Sequence, residues 1–156
     1  MLHCRILVFG KVKQRGVEQL VSEYVKRLGR FVKIEIVELR GGDDRSAAVQ
    51  DVLSAEADEL LKKVSERDYL VILDERGKAL TSAQFSGFLS EQMTKGISKV
   101  VFAIGGAFGW DNRVRDRANI QLSLSSLTFP YQLVRVILVE QIYRAITLMH
   151  GIPYHK

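Results

Sequence analysis

Three short segments carry the residue types that could bind a small ligand. Gly105, Gly106 and Gly109 form a G-G-x-x-G loop, in which backbone amides can approach a ligand closely because glycine has no Cβ. Residues 125–130 supply hydroxyl and backbone groups, and Leu73-Asp74 offers an apolar wall beside an acidic turn. Each segment follows an apolar run typical of a strand. Because ligands of open parallel sheets bind beyond the carboxyl ends of the strands, the three segments together could hold an adenosine.

Other familiar sites lack their residues. A Rossmann dinucleotide site needs glycines at the first strand-to-helix turn, where this chain has only Phe9-Gly10-Lys11, and an acidic residue about 20 residues later, which is missing after Gly105. The phosphate-binding pattern G-x-x-x-x-G-K-[ST] and the hydrolase pattern G-x-S-x-G are also absent. The histidines at 3, 150 and 155 do not have metal-ligand spacing, so we expect no metal site.

Two groups of charged residues have more than one interpretation. Glu140 and Arg144 are four residues apart on an apolar helix, where they could be a simple ion pair or a functional one. The arginines at positions 113, 115 and 117 follow the glycine loop, and they could be exposed to solvent or could clamp a phosphate.

Composition limits the class of protein. The 156 residues are 47% hydrophobic and 26% charged, which is typical of one soluble domain, here taken as residues 1–156. The single cysteine, Cys4, lies in an apolar run and is expected in the core of a cytoplasmic protein without a signal peptide. The longest run of apolar residues and glycine, Val100–Trp110, has 11 residues, too few for a membrane helix.

The net charge of +5 is unevenly distributed. Residues 1–40 hold nine Lys/Arg against four Asp/Glu, residues 41–75 hold four against ten, and residues 76–156 hold ten against four. A basic balance favours a polyanion such as nucleic acid as partner. A solvated face is an equal alternative for the cations of the first segment, Lys11, Lys13, Arg15, Lys26, Arg27, Arg30 and Lys33.

The apolar spacing predicts five strands alternating with five helices, and therefore an α/β fold whose mostly parallel sheet has helices on both faces. Gly29 is expected to end the first helix in a left-handed conformation, and the apolar face of that helix should include Leu20 and Tyr24. Gly41–Ser46 is expected to be a polar loop. Thr81-Ser82-Ala83-Gln84 predicts a capping box, and Gly151 should end the last helix. The second helix should keep its acidic residues off its apolar face, and residues 74–78 should form a turn. The last helix, from Tyr131 to His150, is apolar on most sides, and a homodimer would cover its second face.

Several motifs in order resemble the RlmH family of SPOUT-class methyltransferases. They are Phe102-Ala-Ile-Gly-Gly-Ala-Phe-Gly109, Leu122-Ser-Leu-Ser-Ser-Leu-Thr-Phe-Pro130, Arg135-Val-Ile-Leu-Val-Glu-Gln-Ile-Tyr-Arg-Ala145 and Pro153-Tyr-His-Lys156. The resemblance covers essentially the whole chain, including the Leu73-Asp74-x-x-Gly77-Lys78 segment. It implies a homodimer with a carboxyl-terminal trefoil knot that uses S-adenosyl-L-methionine to methylate N3 of a pseudouridine, position 1915 of 23S rRNA, in assembled ribosomes.

The resemblance also implies the site residues. The family's cofactor contacts correspond to Leu73, Gly105, Leu124, Ser125, Ser126, Leu127, Thr128 and Phe129, which lie in the three segments singled out above. Arg144, Tyr154 and His155 match positions that the family places beside the methyl-transfer site. The chain departs from the family at Tyr131, where a histidine usually follows the Thr-x-Pro triplet.

The implied reaction needs N3 of the pseudouridine to lose its proton. Histidine ordinarily titrates near neutral pH, so His155 is the candidate general base, and its alternative is a structural or RNA-contacting residue. Arg144 would stabilise negative charge on the base or hold a phosphate, and Phe108, Trp110 or Tyr154 could stack on a flipped base. Tyr131 favours an alternative, a non-catalytic ribosome-assembly factor. An NAD-dependent oxidoreductase is a further alternative.

Overall fold

A computed structural model describes residues 1–41 and 48–156 of the chain. Most of the predicted loop Gly41–Ser46 therefore lies outside the described residues. Strands and helices alternate along the sequence. The strands are β1 (His3–Phe9), β2 (Lys33–Leu39), β3 (Tyr69–Ala79), β4 (Lys99–Ile104) and β5 (Ile120–Ser123). The helices are α1 (Arg15–Leu28), α2 (Val49–Leu61), α3 (Ser82–Thr94), α4 (Asn112–Arg117) and α5 (Tyr131–Met149).

The five strands form one sheet in the order β2-β1-β4-β3-β5, and every pair is parallel. Alternate residues of each strand face opposite sides, so Ile6 and Phe102 join a core with α1, α3 and α5, whereas Leu7 and Val101 join a second core with α2 and α4. Burial of one such side chain contributes about 1.5–3 kcal/mol to folding. The predicted α/β fold with helices on both faces is confirmed.

The segment predicted as a turn at 74–78 belongs instead to a long, bulged strand. Both Leu73 and Lys78 pair with Leu122 of β5, so residues 74–77 bulge out of the ladder and β3 then resumes. The Asp74 carboxylate accepts a hydrogen bond from the backbone N–H of Arg76 at 2.9 Å, which closes the bulge locally. The acidic and glycine residues of this segment predict a turn. The strand continues instead because neighbouring β5 offers backbone partners beyond the bulge.

Three expectations about the helices are wrong. Gly29 is right-handed (φ −58°), because the N–H groups of Phe31 and Val32 both bond back to the carbonyl of Leu28 and continue the turn. Leu20 is 51% exposed although its spacing suits the apolar face of α1. Glu56 of α2 is buried rather than solvated.

Other local predictions are confirmed. Thr81 and Gln84 form a reciprocal capping box at the start of α3, and Gly151 adopts φ +63° just after α5. Cys4 is fully buried, and burial raises the pKa of its thiol to about 12, so the group is inert in the core. Within residues 1–41 and 48–156, no helix combines the length and apolar character needed to cross a membrane.

Candidate functional site

A cavity of about 590 Å³ lies at the carboxyl edge of the sheet, where β3, β4 and β5 end. Its walls come from the segments that the sequence singled out, together with the start of α5. The lining residues are Leu73–Arg76, Ile104–Trp110, Leu124, Ser125, Leu127–Tyr131 and Val134. The predicted convergence of the three segments is confirmed, and the volume is within the range of small-molecule pockets.

All but one of the residues matched to the family's cofactor contacts line this cavity. Leu73, Gly105, Leu124, Ser125, Leu127, Thr128 and Phe129 do so, whereas Ser126 does not. Hydrogen bonds within the protein shape the 123–127 segment. The Ser125 hydroxyl accepts the N–H of Leu127 at 3.0 Å, and the Ser123 hydroxyl lies 3.0 Å from the carbonyl of Ser125. The remaining backbone groups of this loop can face a ligand.

Trp110 builds the cavity wall between two of the segments. Its indole N–H donates to the carbonyl of Leu73 at 2.9 Å, and its ring lies against Gly105, where a Cβ would approach the ring to 3.1 Å. The side chain is 8% exposed. Trp110 is therefore a structural wall, which leaves Phe108, 46% exposed at the cavity, as the more accessible ring for stacking on a base.

The arginines at 113, 115 and 117 are each bonded to other parts of the fold. Arg113 bonds Asp58 at 2.8 Å and the carbonyl of Ser54 at 3.0 Å. Arg115 donates to Asp74 at 2.8 Å, and Arg117 donates to the carbonyl of Ser65 at 2.7 Å. These side chains fasten α4 and the bulge of β3 to neighbouring elements. Of the two interpretations from sequence, exposure to solvent is confirmed for Arg113, although its side chain is bonded to α2, and the phosphate clamp stays a prediction.

The Asp74 carboxylate links the bulge to α4. Burial works to raise the pKa of Asp74, but hydrogen bonds from the Arg76 backbone and from the side chains of Arg115 and Arg76 outweigh it and lower the pKa. The group is therefore an ionised structural acceptor at the cavity rather than an acid–base catalyst.

Arg144, Tyr154 and His155 meet in a second cluster, which we call the tail cluster and which also contains Glu140. One carboxylate oxygen of Glu140 accepts from Nε and Nη2 of Arg144 at 3.0 and 2.6 Å, and from the hydroxyl of Tyr154 at 3.0 Å. The Arg144 guanidinium also lies 4.9 Å from the centre of the Tyr154 ring. Glu140 therefore holds two candidate catalytic residues, Arg144 and Tyr154, in place.

The protonation of His155 follows from its partner. Nδ1 of His155 lies 3.2 Å from Nη1 of Arg144. Because a guanidinium can only donate, Nδ1 must accept, and the neutral ring then carries its proton on Nε2. In this arrangement His155 presents an N–H donor outward, and it can take up a proton at Nδ1 only after Arg144 has moved to another partner.

Two further tyrosines that sequence reasoning missed contact the tail cluster, Tyr24 of α1 and Tyr143 of α5. The hydroxyl of Tyr24 lies 3.4 Å from that of Tyr154, and the Tyr143 ring packs edge-on against Tyr154 at 4.8 Å. Because Tyr154 already donates its proton to Glu140, Tyr24 must be the donor in this pair. The apolar spacing of α1 placed Tyr24 on the buried face, but nothing in the sequence indicated where its hydroxyl points.

Tyr154 is held as a neutral phenol. Burial raises its pKa, and the hydrogen bonds with Tyr24 and Glu140 raise it further, since a negative phenolate beside a carboxylate is unfavourable. Tyr154 can therefore orient groups and donate a hydrogen bond, but it does not serve as a base near neutral pH.

The cavity and the tail cluster are separated within one chain. Tyr131 and Val134 line the cavity, whereas Glu140 and Arg144 belong to the later turns of the same helix. At 1.5 Å per residue, Val134 and Arg144 are about 15 Å apart along the axis of α5. Three residues of the cavity lining are exposed and apolar, namely Phe108, Leu127 and Phe129.

Comparison with known proteins identifies the family. The family described as "Predicted SPOUT methyltransferase" matches residues 2–155. The chain belongs to this SPOUT methyltransferase family. Proteins called ribosomal RNA large subunit methyltransferase H, from Streptococcus equi subsp. zooepidemicus and Streptococcus pneumoniae, are each 40% identical over 97% of this chain and 98% of their own. The resemblance to the RlmH family is thereby confirmed.

The SPOUT fold is also found among solved structures. A probable methylase family protein from Haemophilus influenzae Rd KW20 matches with a TM-score of 0.53 and 13% identity, over 98% of this chain and 70% of that one. This likeness concerns the fold alone. The described part of the chain brings together no group of three His, Cys, Asp or Glu side chains that could hold a metal ion.

Proposed function

We propose that this protein transfers a methyl group from S-adenosyl-L-methionine to N3 of a pseudouridine, position 1915 of the large-subunit 23S rRNA. The reaction takes place on assembled ribosomes in the cytoplasm. The observation that carries the proposal is the cavity formed by the β3, β4 and β5 ends in a SPOUT-family chain. The names of the relatives that match over nearly their full length support large-subunit rRNA as the substrate.

The residues of the cavity suit the cofactor. Leu73, Ile104 and Leu124 offer apolar surface for an adenine ring, and the backbones of residues 105–109 and 124–129 offer donors and acceptors for its polar edge. Gly105 allows Trp110 to pack closely against this loop, because a Cβ there would lie 3.1 Å from the indole ring. When bound, the cofactor supplies an electrophilic sulfonium methyl group. Leu73, Gly105 and the 124–129 loop would hold and orient it.

The tail cluster is proposed to act on the nucleoside. Arg144 carries positive charge that can stabilise the anion formed when N3 loses its proton. Nε2–H of His155 can donate to a carbonyl oxygen of the base. Once substrate engages Arg144, Nδ1 of His155 is released and can accept the N3 proton, which keeps His155 as the proposed general base. Tyr154, fixed by Glu140 and Tyr24, would position the base, so much of the rate gain is orientation.

We further propose a homodimer in which the cavity of one protomer faces the tail cluster of the other. The roughly 15 Å between the two groups along α5 is too far for one small nucleoside to join them within a protomer. The exposed apolar residues around the cavity mouth suit burial against a second copy. The proposal also includes the carboxyl-terminal trefoil knot that the family resemblance implies.

The experiment that tests the function uses labelled S-adenosyl-L-methionine and ribosomes from a strain that lacks the modification. We expect label on one large-subunit pseudouridine, located by mass spectrometry. Cofactor binding without label would favour the assembly-factor alternative, which rests on Tyr131, half-buried at the cavity where the family usually has histidine. Protection from heat by NAD rather than by S-adenosyl-L-methionine would favour the oxidoreductase.

Mixing two inactive variants tests the composite site. Leu124→Arg places a charged chain in the cavity, and Arg144→Ala removes the cation of the tail cluster. Refolded together, mixed dimers should regain activity because each retains one intact cavity and one intact cluster that face each other. If the mixture stays inactive while both variants fold and dimerise, the composite site is refuted.

A further inference from the structure

The loop between β1 and α1, together with the first residue of α1, carries cations that have no ion-pair partner within residues 1–41 and 48–156. Residues 10–17 contain no Asp or Glu, and Lys11, Lys13 and Arg15 are all exposed. None of the three forms an ion pair with any described residue. We call residues 11–15 the basic loop.

The basic loop contrasts with the arginines on the other side of the cavity. Arg113 and Arg115 are engaged by Asp58 and Asp74, and Arg117 is bonded to backbone carbonyls. These arginine side chains hold parts of the fold together. The basic loop therefore offers charge for a partner where the more obvious arginine group does not.

Two side chains of α5 fix the loop beside the cavity. Nε2 of Gln132 donates to the carbonyl of Lys11 at 3.2 Å, and Nη2 of Arg135 donates to the carbonyl of Gly10 at 2.8 Å. Gln132 directly follows Tyr131, which lines the cavity. The backbone of the basic loop is thus held next to the cavity mouth rather than left to move freely.

The Arg135 anchor is an unusual one. Its side chain is 1% exposed, and its Nε and Nη1 atoms have no hydrogen-bond partner among the described residues. Glu38 approaches Nη1 only to 3.8 Å. Burial of a cation with such incomplete pairing is unfavourable. Arg135 therefore holds the chain before the basic loop through the hydrogen bonds that it does make, to the carbonyls of Phe9 and Gly10.

We propose that the basic loop binds the phosphate backbone of the RNA next to the nucleotide that is methylated, an inference that rests on the proposed function. Lysine and arginine neutralise phosphates and release counterions, and such contacts position an RNA without reading its sequence. The loop would hold the strand at the cavity mouth while the tail cluster acts on the base.

The test compares Lys11→Gln/Lys13→Gln with a matched control, Lys33→Gln/Lys63→Gln. The control removes the same charge from exposed positions at the opposite edge of the sheet, where β2 begins and α2 ends. Binding to large ribosomal subunits lacking the modification is measured from 50 to 300 mM salt. Cofactor affinity is measured separately by calorimetry.

Loss of two phosphate contacts should reduce the slope of log K against log salt by about 1.4, and at 0.1 M salt it should weaken binding roughly 25-fold. The control should bind like the native protein, and cofactor affinity should be unchanged in both. Equal weakening in the control, or native binding by the loop variant, would overturn the inference. If the native protein methylates the subunits and the loop variant does so equally well, only the loop inference fails, whereas no methylation by the native protein removes the function as well.

Discussion

Gly77 lies where the bulge of β3 passes closest to β5, so alanine at this position should disturb the cavity. A Cβ there would lie 2.6 Å from the carbonyl oxygen and 2.7 Å from the carbonyl carbon of Gln121, and 2.9 Å from the nitrogen of Leu122. All three are backbone atoms, which cannot rotate away. Ordinary contact begins near 3.4 Å, so the two strands must separate by several tenths of an ångström.

The expected size follows from overpacking. Forcing an extra carbon into a packed site typically costs about 1–3 kcal/mol, which the lower backbone entropy of unfolded alanine offsets by less than about 1 kcal/mol. A net loss of about 2 kcal/mol lowers Tm by roughly 4–8 °C in a chain of this size. Two residues of the cavity depend on these strands, since Leu73 belongs to β3 and Leu124 directly follows β5. Displacement of the strands should therefore misplace the cofactor and lower turnover by up to about 100-fold.

Gly87→Ala is the matched control. Gly87 is exposed in α3, and a Cβ there would meet no atom within 4 Å. The same substitution should stabilise the protein by about 0.5–1 kcal/mol, since alanine favours the helix. Thermal unfolding of both variants, with and without S-adenosyl-L-methionine, is the assay. Native Tm and native cofactor protection in Gly77→Ala would refute the described contact between β3 and β5.

Three further predictions concern single side chains. Tyr24→Phe removes the donor to Tyr154 and should lower kcat about 5-fold and Tm by about 2–4 °C, as one hydrogen bond contributes about 1 kcal/mol; an unaltered kcat would exclude a positioning role for Tyr24. Asp74→Asn should destabilise the protein at pH 7 by about 1–3 kcal/mol. Because folding lowers the pKa of Asp74, its contribution is present above the ordinary value of 3.8 and is lost as pH falls below it, so urea unfolding should show the two proteins converging in acid. His155→Ala should abolish turnover and spare cofactor binding, and turnover at the native rate in a methyl-transfer assay would exclude His155 as the base.

The layers of the fold could be predicted from sequence because each depends on local pattern. Alternating burial in β1 and β4, the capping box of Thr81 and the turn at Gly151 all follow from neighbouring residue types. The convergence of the cavity segments could be predicted for the same reason, since parallel strands end at one edge. The continuation of β3 through residues 74–77 could not, because it depends on pairing with β5, about 45 residues later.

The chemistry of the site depends on contacts that residue types do not reveal. Three arginines beside a glycine loop suggest phosphate binding, yet Asp58, Asp74 and backbone carbonyls engage all of them. The lysines that could equally suggest a solvated face lie in the loop whose backbone α5 fixes beside the cavity. The α4 arginines and the lysines of the basic loop differ in whether a described acceptor bonds to the cationic group. Among the described residues the cations of the basic loop have no acidic partner, so these cations, rather than those of the arginine-rich helix α4, are where salt-dependent RNA binding should be sought.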